Sequence, residues 1–349
     1  MMSNLKHAVT TVCLIVWPFT GAVAAPTELK VVGFFSGVQK IVEVEKPFFE
    51  GLAKRSGLDI AVNYNNLDVI GVQMPDALRL VKGGSFDIMV AGLGNVARDD
   101  PFLEGADIAG VSTNAETLRK VLDAYRPAMD ERLRERFNLK TMTLWTAGLQ
   151  GLFCNAKVMD LKDLKGKKIR TYNSSQALVV QALGAISVTM QMPEVYASLQ
   201  RGVMECATTS PSAGNSTRWT EVTTYYFPLA IGGAVNAHFI NLDKWKKFSP
   251  AEQQKLTAEF NALERELWLR GTVVQQDGVN CSTGREPCTG HQRYSLTTVT
   301  QSPDLDKALQ KASEQSAVAT WGKNCEKSYP GCTRVWNDSV GKVTGLRIK

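Results

Sequence analysis

Apolar and polar positions alternate in short bursts along the first third of the chain. The run LKVVGFF (29–35) has a strand pattern, and LDIAVNYNN (58–66) alternates as a second. Between them Glu43 to Arg55 reads as an amphipathic helix with Pro47 near its start. Met74 to Val81 predicts a short helix ending at Gly83 and Gly84, and FDIMVAG (86–92) is a continuous apolar run suited to a buried parallel strand. Repeated strand-helix-strand units of this kind predict an α/β lobe.

The same alternation resumes after a long charged helix predicted over Ala115 to Phe137. Strands are expected at TMTLWTA, GLFCN, KIRTY, ISVTM and MECATTS, with helices at SSQALVVQALG, capped by Ser174 or Ser175, and at PEVYASLQRG, opened by Pro193. This second α/β lobe interleaves with the first, so the chain is expected to cross between them more than once. From Ser249 to Val274 a Ser-Pro-x-Glu start opens a long helix. Beyond it no clear period remains.

The expected organisation is a leader at 1–24, a first lobe mainly at 25–145 and a second mainly at 146–240. The long helix and a return to the first lobe follow at 241–275, then a disulfide-stapled segment at 276–349.

The leader has Lys6, an apolar stretch from Ala8 to Phe19 and the small-x-small site Ala22-Val23-Ala24, the marks of a cleaved export signal rather than a membrane span. Removing it also removes Cys13 and leaves six cysteines, an even number in an oxidising compartment. Six cysteines permit about 15 connectivities. The short loops CSTGREPC and CEKSYPGC favour Cys281 with Cys288 and Cys325 with Cys332, which leaves Cys154 with Cys206. The net charge of +6 is spread along the chain without a basic block, which argues against a nucleic-acid partner.

Conventional catalytic signals are missing from the sequence. His7 leaves with the leader, so His238 and His291 are the only imidazoles of the mature chain, and no cysteine or histidine spacing suits a metal. Neither a cofactor nor a metal is expected. Cys154 with His238 could be drawn as nucleophile and base, but a paired cysteine is the better expectation in an exported protein. The acids of DDPFLEGAD are a second, weaker enzymatic option.

One residue stands out. Arg170 closes the strand KIR and is followed by Thr171, Tyr172, Asn173 and Ser174, leading into a helix start. Guanidinium is permanently charged and offers a planar fork of donors that matches a carboxylate, and a helix N-terminus also favours an anion. A second polar strand end, Thr208, Thr209 and Ser210, follows the next helix. Open α/β sheets bind ligands at the carboxyl ends of their strands, so the two ends are expected to face one cleft.

The stretch DLKGKKIRTYNSSQALVVQALGAISVTMQMPEVYASLQRGVMECATTSP resembles the signature region of solute-binding proteins of tripartite ATP-independent periplasmic (TRAP) transporters, of the dicarboxylate-binding type. The likeness runs through WTEVTTYYF and NLDKWKKFSPAEQQKL, is weaker from Leu29 to Phe137, and ends near Val274. It implies a fold like the type II periplasmic binding proteins: two α/β lobes around a ligand cleft, with crossing strands and a long hinge-spanning helix. It also implies a periplasmic, non-enzymatic receptor that captures a small organic acid and delivers it to TRAP membrane permease subunits. A monomer is expected. A receptor presenting its closed form to a sensor kinase is the alternative.

Within the resemblance Arg170 falls on the family's carboxylate-binding arginine. Gln150 stands where many members carry a second arginine, which implies a monocarboxylate such as a hydroxy or keto acid. Thr208 to Ser210 replace an asparagine-proline pair and point to hydroxyl or carbonyl recognition. Asn95 is a candidate donor from the first lobe, or a turn cap. Trp145, Trp219, Phe34 and Phe35 are candidates for the cleft wall, although core packing is the commoner role of such aromatics.

Overall fold

The computed structural model describes residues 25–349, so the expected leader lies outside the described residues. The N-terminal strand pattern becomes β1 (Thr27–Gly33), β2 (Ile60–Asn66) and β3 (Ile88–Gly92), and the later apolar runs become β4 (Leu139–Thr146) and β10 (Val235–Asn241). They form one five-stranded sheet in the order β2-β1-β3-β10-β4. β1 runs parallel to β2 and β3, whereas β10 is antiparallel to β3 and β4. The full burial of β3 explains its unbroken apolar run.

The second sheet contains β5 (Gly151–Cys154), β6 (Lys168–Thr171), β7 (Ile186–Thr189), β8 (Cys206–Thr209), β9 (Tyr225–Phe227) and β11 (Thr297–Thr298). Its order is β11-β9-β5-β8-β6-β7. The chain passes from the first sheet to the second between β4 and β5, and returns between β9 and β10. The two crossings pair with each other: Ala147 N donates to Ala234 O at 3.0 Å, Gln150 N to Gly232 O at 3.0 Å, and Ile231 N to Gln150 O at 2.9 Å.

The long helix runs from Pro250 to Thr283, nine residues past the expected end. Ser249 and Glu252 close its capping box, and Gly284 ends it at φ 73°. It lies against β4 and against the short helix Pro211–Ser216 of the second lobe. Gly271 makes the first approach possible, since a Cβ there would fall on the Thr146 carbonyl oxygen.

Several local expectations shift. The helix expected over Glu43 to Arg55 starts earlier, at Gln39, carries Pro47 inside it, and breaks at Gly51 before a short helix Leu52–Ser56. Its buried stripe of Ile41, Phe48 and Phe49 holds the proline-containing turn in place. The aperiodic C-terminal segment is mostly helical, from Pro303 to Thr344, with two π-helical turns at Glu314–Val318 and Asn337–Gly341. Those turns shift the apolar register, so no single 3.6-residue period survives in the sequence.

All three expected disulfides are present: Cys154–Cys206, Cys281–Cys288 and Cys325–Cys332. The first joins directly opposed residues of antiparallel β5 and β8. It closes a sequence separation of 52 residues, against 7 for each of the others. Loop entropy then predicts that Cys154→Ala/Cys206→Ala destabilises by about 2–4 kcal/mol, and by more than Cys281→Ala/Cys288→Ala does. Urea unfolding of the two double variants against wild type checks the order.

Candidate functional site

The carboxyl ends of β1 and β3 in one sheet face those of β6 and β8 in the other, and a cavity lies between them. It holds about 560 Å³ of empty space, part of it open to solvent. The first lobe supplies Phe34, Phe35, Met74, Asn95 and Asn236, and the second supplies Gln150, Arg170, Tyr172, Gln191, Met192, Thr209 and Ser210. The first-lobe wall is mainly apolar, with Asn95 and Asn236 as its polar groups, and the second carries most of the hydrogen-bonding groups.

Arg170 is 3% exposed and lies on β6, between β7 and β8. Its Nε donates to the carbonyl of Met190, just past β7, at 2.8 Å. Its Nη1 donates to the carbonyl of Thr208 on β8 at 2.9 Å. Two of the five guanidinium N–H groups are thus used, leaving three for a guest. Trp219 lies behind the group, with its ring centre 5.8 Å from Cζ. Among the described residues no carboxylate forms an ion pair with Arg170. Burial pushes its pKa down to about 10, which still leaves it charged at neutral pH.

Behind this wall runs a chain of amides. Thr208 Oγ1 donates to Gln176 Oε1 at 2.8 Å, and Gln176 Nε2 donates to Gln150 Oε1. With its oxygen engaged, Gln150 has its amide nitrogen left to donate into the cavity it lines. The opposite wall is set by a fully buried group in the first lobe. Glu45 accepts the Phe34 backbone N–H at 2.7 Å and the Tyr64 hydroxyl at 2.7 Å, and lies 2.7 Å from His238 Nε2. His238 Nδ1 in turn meets Thr143 Oγ1 at 2.6 Å, so the imidazole belongs to the scaffold.

Two acids sit beneath the cavity floor. Asp107 accepts from Gly233 N and Val235 N of the returning crossover, both at 2.9 Å, and from the Tyr172 hydroxyl at 3.2 Å. Burial outweighs these bonds and raises its pKa to about 6. Burial likewise raises Glu104 to about 8, and its Oε1 has no hydrogen-bond partner. Glu104 is therefore largely protonated at pH 7, and Asp107 is spent on the backbone. Neither neutralises Arg170.

The structure brings Arg170, Gln150, Tyr172, Asn95, Thr209 and Ser210 to one cavity, with Phe34 and Phe35. Ser210 Oγ also caps the helix Pro211–Ser216. Asn95 makes no capping bond. Thr208 and Trp219 do not line the cavity, against expectation. β8 turns the Thr208 side chain onto Gln176, because strand neighbours point to opposite faces, and Trp219 packs edge-on against Phe153. Trp145 lies a layer further back, against Phe34 and His238.

The cap of the helix after Arg170 is Asn173, whose Oδ1 accepts from Gln176 N at 3.0 Å, rather than Ser174 or Ser175. The Cys154–Cys206 bridge removes the thiol that a nucleophilic mechanism needs. Sequence reasoning missed Gln191, Met192, Met74 and Asn236, which sit in ordinary turn or strand patterns. Gln176 and Glu45 were missed as well, since nothing local marks a side chain that supports another, and Asp107, the last acid of DDPFLEGAD, was singled out only as an enzymatic option.

Residues 46–276, more than half of the chain, match the family model DctP, bacterial extracellular solute-binding protein, family 7. The chain belongs to this family, the solute-binding proteins of TRAP transporters, with the two-lobed fold of type II periplasmic binding proteins. Its members are extracytoplasmic receptors rather than enzymes. The 2,3-diketo-L-gulonate-binding periplasmic protein YiaO of Escherichia coli is 27% identical over 187 residues, covering 51% of this chain and 55% of its own length. The matched stretch thus spans about half of that relative.

Solved structures carry the likeness across the fold. The Bordetella pertussis extracytoplasmic solute receptor DctP6, which binds pyroglutamic acid, superposes with a TM-score of 0.79 at 20% identity, covering 90% of this chain and 100% of that one. A TRAP periplasmic solute-binding protein of Haemophilus influenzae with bound L-gulonate gives 0.76 at 14% identity, covering 91% and 99%. Among the described residues no helix is long and apolar enough to cross a membrane.

The raised Glu104 pKa has a measurable consequence. In the unfolded chain this carboxyl ionises near its usual value, but in the folded protein only near pH 8, so stability falls as pH rises through that window and levels off above it. Glu104→Gln removes the penalty. It should be more stable than wild type at pH 9 by roughly 1–4 kcal/mol, with little difference at pH 5, as read by thermal melts at both pH values.

Proposed function

We propose that this chain is a periplasmic receptor that captures a small monocarboxylate carrying hydroxyl or keto groups, closes over it, and delivers it to a TRAP membrane permease. The observation that carries this reading is the buried Arg170 guanidinium, held by two carbonyls and lacking a protein counterion. A guest carboxylate completes it with charge-assisted bonds, and exclusion of water strengthens them. Gln150 is neutral and cannot balance a second carboxylate. It donates instead to a hydroxyl or carbonyl of the guest, as do Asn95, Thr209 and Asn236 around the rest of the cavity.

The relatives' ligands fit the same chemistry, since each is a small acid. Closure follows because the guest touches both lobes only when they come together, so binding shifts the population toward the closed form. The guest leaves chemically unchanged in this reading, with the disulfide-bonded Cys154 and the scaffold-bound His238 taking no part in catalysis.

Calorimetry against pyroglutamate, L-gulonate, lactate, pyruvate and succinate tests the proposal. At least one monocarboxylate should bind wild type more tightly than succinate, and Arg170→Ala should weaken that binding by about 100-fold or more, the value of two bonds to a charged group. Equal affinity in Arg170→Ala would remove the assignment. A clear preference for succinate would remove the monocarboxylate part alone.

A further inference from the structure

The two lobes touch beside the cavity at a point that takes no part in lining it. Gly94 lies in the short helix Leu93–Val96 that follows β3, and Asn173 caps the helix that follows β6. A Cβ on Gly94 would fall on the Asn173 amide nitrogen and stand 3.0 Å from its Cγ and 3.2 Å from its Cβ. Asn173 has no cheap way to yield. Its Oδ1 accepts from Gln176 N at 3.0 Å and lies 3.4 Å from Ser175 Oγ, so swinging the side chain aside uncaps the helix that carries Gln176. The Asn173 amide nitrogen is itself buried with no hydrogen-bond partner.

A different interlobe glycine lacks this feature. A Cβ on Gly37 would meet only Thr217 Cγ2, at 3.6 Å, an ordinary contact distance. Space between the lobes is therefore tight at Gly94 and relaxed at Gly37.

We propose that the contact of Gly94 with Asn173 is the stop that sets how far the lobes close. A residue without a side chain at position 94 lets the first-lobe wall reach the spacing at which it and Arg170 enclose one guest. Gly94 is in this sense a positioning residue, acting on affinity without touching the ligand. The inference rests on the receptor reading above.

Calorimetry with pyroglutamate, L-gulonate, lactate, pyruvate and succinate on Gly94→Ala, Gly37→Ala, Asn173→Ser and Gly94→Ala/Asn173→Ser tests it. Gly94→Ala should bind the best wild-type acid about 10- to 100-fold more weakly, the usual range for overpacking. Its ligand-free melting temperature should equal or exceed that of wild type, because alanine is the better helix former wherever the lobes stand apart. Gly37→Ala should bind as wild type does. Serine still caps the helix but is shorter, so Asn173→Ser should retain binding and the double variant should recover most of the loss.

Undiminished binding by Gly94→Ala overturns this inference alone, as does a loss that Asn173→Ser fails to repair. A ligand-free Gly94→Ala that melts early or fails to fold also overturns it, since the contact would then serve the resting fold rather than closure. Failure of wild type to bind any of the five acids overturns the receptor reading and this inference with it.

Discussion

A guanidinium buried without a counterion is costly, and the second lobe is arranged around meeting that cost. β6 lies between β7 and β8, so Arg170 finds a carbonyl on each side, Met190 just past β7 and Thr208 on β8. These dipoles stabilise the charge without cancelling it. An aspartate in either place would hold the arginine more tightly and leave nothing for a guest. The acids behind the cavity are withdrawn, Glu104 by protonation and Asp107 by its bonds to the crossover backbone and Tyr172, and exposed Glu194, whose charge acts on Arg170, forms no ion pair with it.

The segment 101 to 109, which carries both acids and opens with the 3-10 helix Pro101–Ala106, ties the site to the C-terminal helices. Trp321 Nε1 donates to the Pro101 carbonyl at 2.6 Å and Trp336 Nε1 to the Gly105 carbonyl at 2.8 Å, so two buried indoles fix the segment that carries Glu104 and Asp107. Ala109 N then donates to Ser175 Oγ on the far side of the cleft, at 3.2 Å. The C-terminal segment, which lies beyond the family match, thus supports the floor of the cavity. With the two paired crossovers and the helix Pro250–Thr283 it forms the frame against which the lobes are set.

Much of the fold could be read from the chain because its signals are local. Strand-patterned runs marked β1 and β2, an unbroken apolar run marked β3, the Ser-Pro-x-Glu start marked the long helix, and seven-residue separations marked two of the disulfides. The C-terminal helices escaped notice although Ser302 and Pro303 mark the start of the first, because π-turns interrupt the apolar period beyond it. Thr208 was placed at the right end of the sheet but its side chain faces away from the cavity, and Trp219, a candidate for the cleft wall, packs in the core, since which face of a short buried strand or turn meets the cleft depends on what packs behind.

Sequence by itself determined the residue that matters most. An arginine ending a strand and followed by hydroxyls, amides and a helix start carries what an anion site needs, because charge and donor geometry belong to the side chain. Only the tertiary structure decided that this arginine stays unpaired, that Gln176 orients Gln150, and that Gly94 meets Asn173 across the cleft. Each of these joins groups tens of residues apart, and the energy of such a contact depends on distances that no local pattern encodes.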